Sequence, residues 1–181
     1  TWGENYYGEL GQNNRTNYSS PIQIPGSWSS VSTGLYFSKA LKTNGTLWSW
    51  GDNEFGVLGL NQSEPTKYSS PVQVGSDTNW AATRCMSGRY VSGATKTDGT
   101  LWVWGSNAYG QLGQNNNTHH SSPVQIPGTT WKCVSSLAYG VAATKTDGTL
   151  WIWGINEYGS LAQNDRTHRS SPVQVPGTTW D

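Results

Sequence analysis

Short runs in which apolar and polar residues alternate dominate the chain. Ile22 and Ile24 flank Gln23 in "PIQIPG", and the same alternation returns in "PVQVG", "PVQIPG" and "PVQVPG". Each run predicts a strand with one face turned inward. A second stretch begins near Trp28, Trp80 and Trp131 and carries Val31, Cys85 and Val134 at matching places, which predicts a core position at all three. Two more strands flank the turn of a recurring phrase: "LKTNGTLWSWG" (Leu41–Gly51), "TKTDGTLWVWG" (Thr95–Gly105) and "TKTDGTLWIWG" (Thr144–Gly154). Asn44-Gly45, Asp98-Gly99 and Asp147-Gly148 predict type I′ hairpins, with positive φ at both central residues. After the first of these turns Trp48 and Trp50 share one face, and Leu47 and Ser49 the other.

The pattern has a period. "WG" falls at Trp2, Trp50, Trp104 and Trp153, spaced 48, 54 and 49 residues apart, and the proline of "SSP" at Pro21, Pro71, Pro123 and Pro172, spaced 50, 52 and 49. Units of four short antiparallel strands repeating about every fifty residues predict propeller blades, each covering a face of its neighbour. A tryptophan present in every unit then serves that stacking rather than a ligand. The expected fold is all-β: a single β-propeller segment over 1–181, with repeats at about 1–3 (partial), 4–51, 52–105, 106–154 and 155–181 (partial). Three complete repeats are too few for a ring, and an open stack leaves exposed edges. The remaining blades are expected from a longer chain or from other copies.

"WGENYYGELG" (Trp2–Gly11), "WGDNEFGVLG" (Trp50–Gly59), "WGSNAYGQLG" (Trp104–Gly113) and "WGINEYGSLA" (Trp153–Ala162) share a W-G-x-N-x-aromatic-G-x-L core. With "DGTLW-x-WG", this resembles the repeats of the regulator of chromosome condensation family across essentially the whole chain. The resemblance implies a propeller, commonly seven-bladed. It also raises nucleotide exchange on a small GTPase, the activity of the family's namesake, which relies on a wedge inserted between blades. No comparable insertion, basic tail or "GWRHT" motif of the related ultraviolet-B receptors occurs here. Phe37, Val91 and Gly140 stand where the family often has His. The Asn/Thr/Gly-rich flavour also resembles repeats of bacterial surface and phage proteins, a lean toward an extracellular or virion setting.

Charge narrows the partners. Eleven basic and eleven acidic residues cancel, and 12% of residues are charged, so no electrostatic footprint for nucleic acid or a membrane surface is present. No nucleophile elbow, phosphate loop or recurring carboxylate pair points to catalysis, and no cofactor is expected. A zinc site needs three or four converging ligands; no Cys or acid recurs beside the three histidines, and Asp165 near His168 does not change this, so no metal site is expected. Cys85 and Cys133 fall on opposite faces of matching strands and are not expected to pair. Asn5, Asn53, Asn107 and Asn156 recur as loop-tying residues.

Residues that differ between repeats are free to serve a partner. They concentrate before "SSP": "QNNRTNY", "LNQSEPTKY", "QNNNTHH" and "QNDRTHR". Asn17, Lys67, His119 and His168 align there, followed by Tyr18, Tyr68, His120 and Arg169, with Arg15 and Arg166 nearby. Equivalent loops share one rim of a propeller, so these side chains are expected to form an arc suited to a protein or glycan. The expected function is a non-enzymatic binding or structural module. Nucleotide exchange on a GTPase and glycan binding by a surface or virion protein are the alternatives.

Overall fold

The computed structural model describes residues 1–62, 66–81, 86–137 and 139–180; the reading of Cys85 as core lies outside them. The described strands are β1 (Trp28–Thr33), β2 (Phe37–Lys42), β3 (Leu47–Asp52), β4 (Lys67–Gln73), β5 (Met86–Ser87), β6 (Val91–Thr95), β7 (Leu101–Gly105), β8 (His120–Ile126), β9 (Trp131–Leu137), β10 (Gly140–Lys145), β11 (Leu150–Gly154) and β12 (Arg169–Val175). They form three antiparallel sheets, β1-β2-β3-β4, β5-β6-β7-β8 and β9-β10-β11-β12. The fold is an all-β propeller segment of three four-stranded blades. Residues before β1 form a partial unit, where Gly3 bridges Tyr18.

The sheets are out of phase with the sequence repeat. The strand that completes each sheet comes after the tryptophan phrase: Ser49 pairs with Val72, and Asp52 with Lys67. Successive first strands approach each other, Ser136 Oγ of β9 donating to Ser87 O of β5 at 3.2 Å. They form the inner edge, and β4, β8 and β12 the outer edge.

Blades stack because each presents a tryptophan face to the aliphatic face of the blade before it. At the second seam Leu101, Val103 and Ile126 meet Trp131, Val134, Val141 and Trp153. Trp50, Trp104 and Trp153 are buried, and each indole N–H reaches back to a loop carbonyl of the preceding unit, Glu9, Val57 and Gln111, at 2.8, 2.9 and 2.8 Å. At the first seam the stem of buried Lys39 lies against this arrangement, with Nζ 4.6 Å from the Trp104 ring centre and donating to Gly93 O at 2.9 Å.

Val31 corrects one expectation. Val134 is 3% exposed, but Val31 is 68% exposed. The face of β1 that carries it looks toward the partial unit, which has no paired sheet there to cover it.

The hairpins correct another. Only the glycines take positive φ: 79° at Gly45, 79° at Gly99 and 76° at Gly148. The Gly45 N–H donates to Lys42 O, and the Lys42 N–H to Thr46 O. This is a type I turn followed by a left-handed glycine, a three-residue loop with a bulge rather than a type I′ turn. The rest of the phrase explains itself at this turn. Asp98 Oδ1 accepts from the Thr100 amide and hydroxyl at 3.0 and 2.7 Å, and Thr100 Oγ1 accepts the Trp102 indole N–H at 2.9 Å. Asn44–Thr46–Trp48 and Asp147–Thr149–Trp151 repeat the relay. Lys42, Lys96 and Lys145 lie over the Trp48, Trp102 and Trp151 rings at 3.7, 4.1 and 4.2 Å, cation–π contacts that cover the half-exposed tryptophan.

The threonine hydroxyls hold the Asp98 and Asp147 carboxyls below their usual 3.8. A depressed folded value means stabilisation that is complete above the unfolded pKa and lost as pH falls through the folded one. Asn44 makes the same bonds without titrating. The Asp98→Asn/Asp147→Asn double variant is therefore expected to lose less Tm than the parent between neutral pH and pH ~2. Parallel curves of Tm against pH would refute this.

Candidate functional site

Strand direction divides the propeller segment into two ends. The β2–β3, β6–β7 and β10–β11 hairpins and the links between sheets lie at one end, the hairpin face. The β1–β2, β5–β6 and β9–β10 turns and the long loops after β3, β7 and β11 lie at the other, the loop face. Every residue singled out before "SSP" is on, or at the margin of, the loop face.

On that face the aromatic of the W-G-x-N-x-aromatic-G motif meets a tyrosine from the next blade. Tyr7 stacks on Tyr36 at 4.5 Å between ring centres. Phe55 meets Tyr90 edge-on at 5.3 Å, and Tyr109 meets Tyr139 at 6.0 Å. The variable loop adds a third member to each group. Lys67 Nζ lies 4.7 and 4.5 Å from the rings of Tyr6 and Tyr7, His119 is 5.3 Å from Phe55, and His168 is 5.8 Å from Tyr109. Tyr158 repeats the motif aromatic at 90% exposure. Between the groups Arg89 bridges a seam: Nη1 donates to Tyr139 Oη at 2.9 Å, and the guanidinium lies 5.1 Å from the Tyr90 ring centre. A depression of about 600 Å³ adjoins these residues at the inner edge, lined by Leu35, Tyr36, Ser87, Arg89, Ser136 and Leu137 among others.

The candidate residues divide by what else they hold. Asn17 Oδ1, His119 Nδ1 and His168 Nδ1 accept the backbone N–H of Asn5, Asn107 and Asn156 at 2.9, 2.7 and 2.9 Å. Acceptance at Nδ1 puts the neutral ring's proton on Nε2, the nitrogen left for a partner. Lys67 pairs in register with Asp52, whose carboxyl is pushed up by burial while the Lys67 charge pulls it down. Tyr18 Oη accepts from Asn14 Nδ2, and Tyr68 Oη donates to Gln62 Oε1. Arg169 Nη2 meets Asp165 at 2.5 Å; the Thr167 amide, then Arg169, holds that carboxyl below its usual value. His120 is half-buried beside Gly105, and Arg15 and Arg166 are exposed. Among the described residues no three His, Cys, Asp or Glu side chains gather as metal ligands, and no helix is long and apolar enough to cross a membrane.

The loops owe their shape to the recurring asparagine. Asn107 Oδ1 accepts from the Leu112 N–H at 2.8 Å, while Nδ2 donates to Asn116 O and Thr118 O at 2.9 and 3.0 Å. Asn107→Ala strands the buried Leu112 N–H, at about 1–3 kcal/mol, and takes a donor from the carbonyls of exposed Asn116 and Thr118, which water can reach. The expected result is loss of hydrogen-exchange protection at Leu112 with β5 to β8 still protected; unchanged protection at Leu112 would refute it.

Arg89, Tyr36, Tyr90 and Tyr139 were missed by sequence reasoning. Arg89 aligns with Leu35 and Ala138, so the signal that flagged the outer loops, a difference between repeats, was present there too.

Comparison with known proteins supports this architecture. The family model for the regulator of chromosome condensation (RCC1) repeat matches residues 1–41, 44–94 and 98–144, and a second model of that repeat matches residues 28–57. The human E3 ubiquitin-protein ligase HERC2 is 29% identical over 146 residues, 77% of this chain and 3% of that protein. The human probable E3 ubiquitin-protein ligase HERC4 is 30% identical over 146 residues, 77% of this chain and 13% of that one. Among solved structures, Prp20p of Saccharomyces cerevisiae, described together with its binding properties to Gsp1p and histones, superposes with a TM-score of 0.85 at 19% identity. That match covers 98% of this chain and 46% of Prp20p. Human WBSCR16 gives a TM-score of 0.79 at 23% identity, covering 97% and 46%. The chain thus spans less than half of each of these proteins.

Proposed function

We propose a function from one established premise: this chain belongs to the regulator of chromosome condensation (RCC1) repeat family. The chain acts as a non-catalytic recognition module, and its loop face receives a protein partner. One observation carries this reading: Phe55, Tyr90, Arg89, Tyr139 and Tyr109 form a continuous run across two seams beside an open depression. Tyr and Arg are enriched among the residues that dominate binding energy at protein interfaces. Arg15, Asn17, Tyr18, Lys67, Tyr68, His119, His120, Arg166, His168 and Arg169 form the outer margin of that surface, where variation between repeats sets which partner fits. The relatives named above lend no support to a surface or virion role.

A displayed-peptide library panned on the chain tests this without a known partner. Selected peptides are expected to bind Arg89→Ala or Tyr139→Phe at least about tenfold more weakly, a loss of about 1.4 kcal/mol, and to bind the hairpin-face variant Lys42→Ala unchanged. Peptides that depend on Lys42 and ignore Arg89 and Tyr139 would overturn it.

A second reading is regulation of a small GTPase, favoured by the fold match to Prp20p and the binding to Gsp1p described with it. Faster release of a fluorescent guanine nucleotide from Gsp1p in the presence of the chain supports exchange. Binding with an unchanged release rate limits the chain to recognition.

A further inference from the structure

A cavity of about 350 Å³ opens in the seam between the second and third sheets, where the loop after β7 reaches Trp131, Lys145 and Trp151 of the third sheet; it shares no lining residue with the depression just described. Trp131 and Trp151 form its apolar wall, in edge-to-face contact at 6.3 Å. Both indole N–H groups are committed within the fold, to Pro127 O and Thr149 Oγ1, so neither ring offers a donor; Trp131 is 3% exposed, and the open ring surface is that of half-buried Trp151. Lys145 lines the same cavity, with Nζ 4.7 and 4.2 Å from the Trp131 and Trp151 ring centres. Its counterpart Lys96 forms an ion pair with Asp77 at 2.9 Å; among the described residues Lys145 forms no ion pair, although its charge acts on the Asp147 carboxyl two residues on.

Gln114, Asn115 and Ser171 supply a polar side. Gln114 Nε2 donates to Leu112 O and Gln125 O, which leaves Oε1 as an acceptor. Asn115 Oδ1 accepts from Ser171 Oγ, which leaves Nδ2 as a donor.

We propose that this seam binds a hexuronate, a six-membered sugar ring bearing a carboxylate. One C–H face of the ring lies against Trp151, the carboxylate meets Lys145 Nζ and Asn115 Nδ2, and a hydroxyl donates to Gln114 Oε1. Each part of the lining excludes a simpler ligand. A purely apolar ring would leave the amides without partners. A neutral sugar would forgo the charge-assisted bond to Lys145. A small inorganic anion would leave the indole walls and most of the volume unused. The seam between the first and second sheets is a built-in control: Leu60 replaces Gln114, and Asp77 already neutralises Lys96.

Titration of the full chain with D-glucuronate, followed by tryptophan fluorescence and amide chemical shifts, tests the site. Saturable binding with shifts centred on Asn115 is expected, and glucose and acetate are expected to bind about tenfold more weakly or less. Lys145→Met, which keeps the stem over the tryptophans, is expected to lower affinity about tenfold and Gln114→Leu several-fold. Lys96→Met should leave affinity unchanged. If Lys145→Met does not fold, Gln114→Leu carries the same test at a half-exposed position. Failure to saturate, equal binding of glucose, acetate or benzoate, or unchanged affinity in the folded Lys145→Met or Gln114→Leu variant would overturn the proposal.

Discussion

Replacing Trp104 by alanine lowers the unfolding free energy by about 3–5 kcal/mol, read as a shift of the urea midpoint at unchanged slope. The indole is fully buried at the first seam and packs on Trp80 at 6.2 Å between ring centres. Its N–H bonds to Val57 O at 2.9 Å, and Lys39 Nζ rests 4.6 Å from its ring centre. Truncation opens a cavity between two rigid sheets, which cannot collapse without breaking the strands on either side. It also removes the aromatic surface beneath a buried ammonium. Trp102→Ala is the matched control. That ring is half-exposed and covered by the stem of Lys96, so its loss should cost well under half as much. Equal effects at Trp102 and Trp104 would show that burial at the seam is not the source of the stability.

Gly56→Ala gives the second large effect, through a different mechanism. Gly56 has φ 72°, and a Cβ there would lie 2.5 Å from Ser121 Cα of β8. The left-handed conformation costs a side-chain-bearing residue about 1–2 kcal/mol. Overpacking adds about 1–3 kcal/mol, because the obstacle is backbone of the outer strand and cannot rotate away. The adjoining contacts would shift too: the Asn61 N–H donates to Ser121 O at 2.8 Å, and Ser122 Oγ to Asn61 Oδ1 at 3.3 Å. Gly159→Ala separates the two contributions. It has φ 76°, but the nearest atom to an added Cβ is Asp165 O at 4.0 Å, so only the conformational part remains. Denaturation of both variants should show the larger loss at Gly56. A Gly159 variant equally destabilised would mean that the close approach to Ser121 contributes nothing.

The sequence and the structure agree where the determinants are local and repeated. The glycines after Asn44, Asp98 and Asp147 mark the hairpins, because their side-chain oxygens and the following threonines must close those turns whatever lies beyond. The type of turn was not legible. Asn-Gly and Asp-Gly fit both a two-residue turn and a three-residue loop, and the choice is made by where Lys42 finds its partner, at Thr46. Pairing across the sheet was not legible either. "PVQ" reads as a strand from its own alternation, but joining Val72 to Ser49 is a contact at a distance that no local pattern specifies. Val31 was misplaced for a related reason, since its pattern matches that of Val134 while its surroundings do not. At the candidate site, comparison of repeats led to the outer loops and the residues that line them. It passed over Tyr36, Tyr90 and Tyr139 because they recur, and recurrence looks structural. Here recurrence places three rings in a row on one face, a property of the arrangement rather than of any single position.

The offset between repeat and sheet has a consequence for anyone who would dissect or rewire this chain. A cut at the most recognisable sequence boundary, after the "WG" of Gly51, passes through β3 and severs a sheet. The peptide links at 75–79 and 127–130 fall between sheets and leave every described ladder whole. Transplanted blades, inserted tags and permuted termini belong at those links, in frames that begin at Trp80 or Trp131.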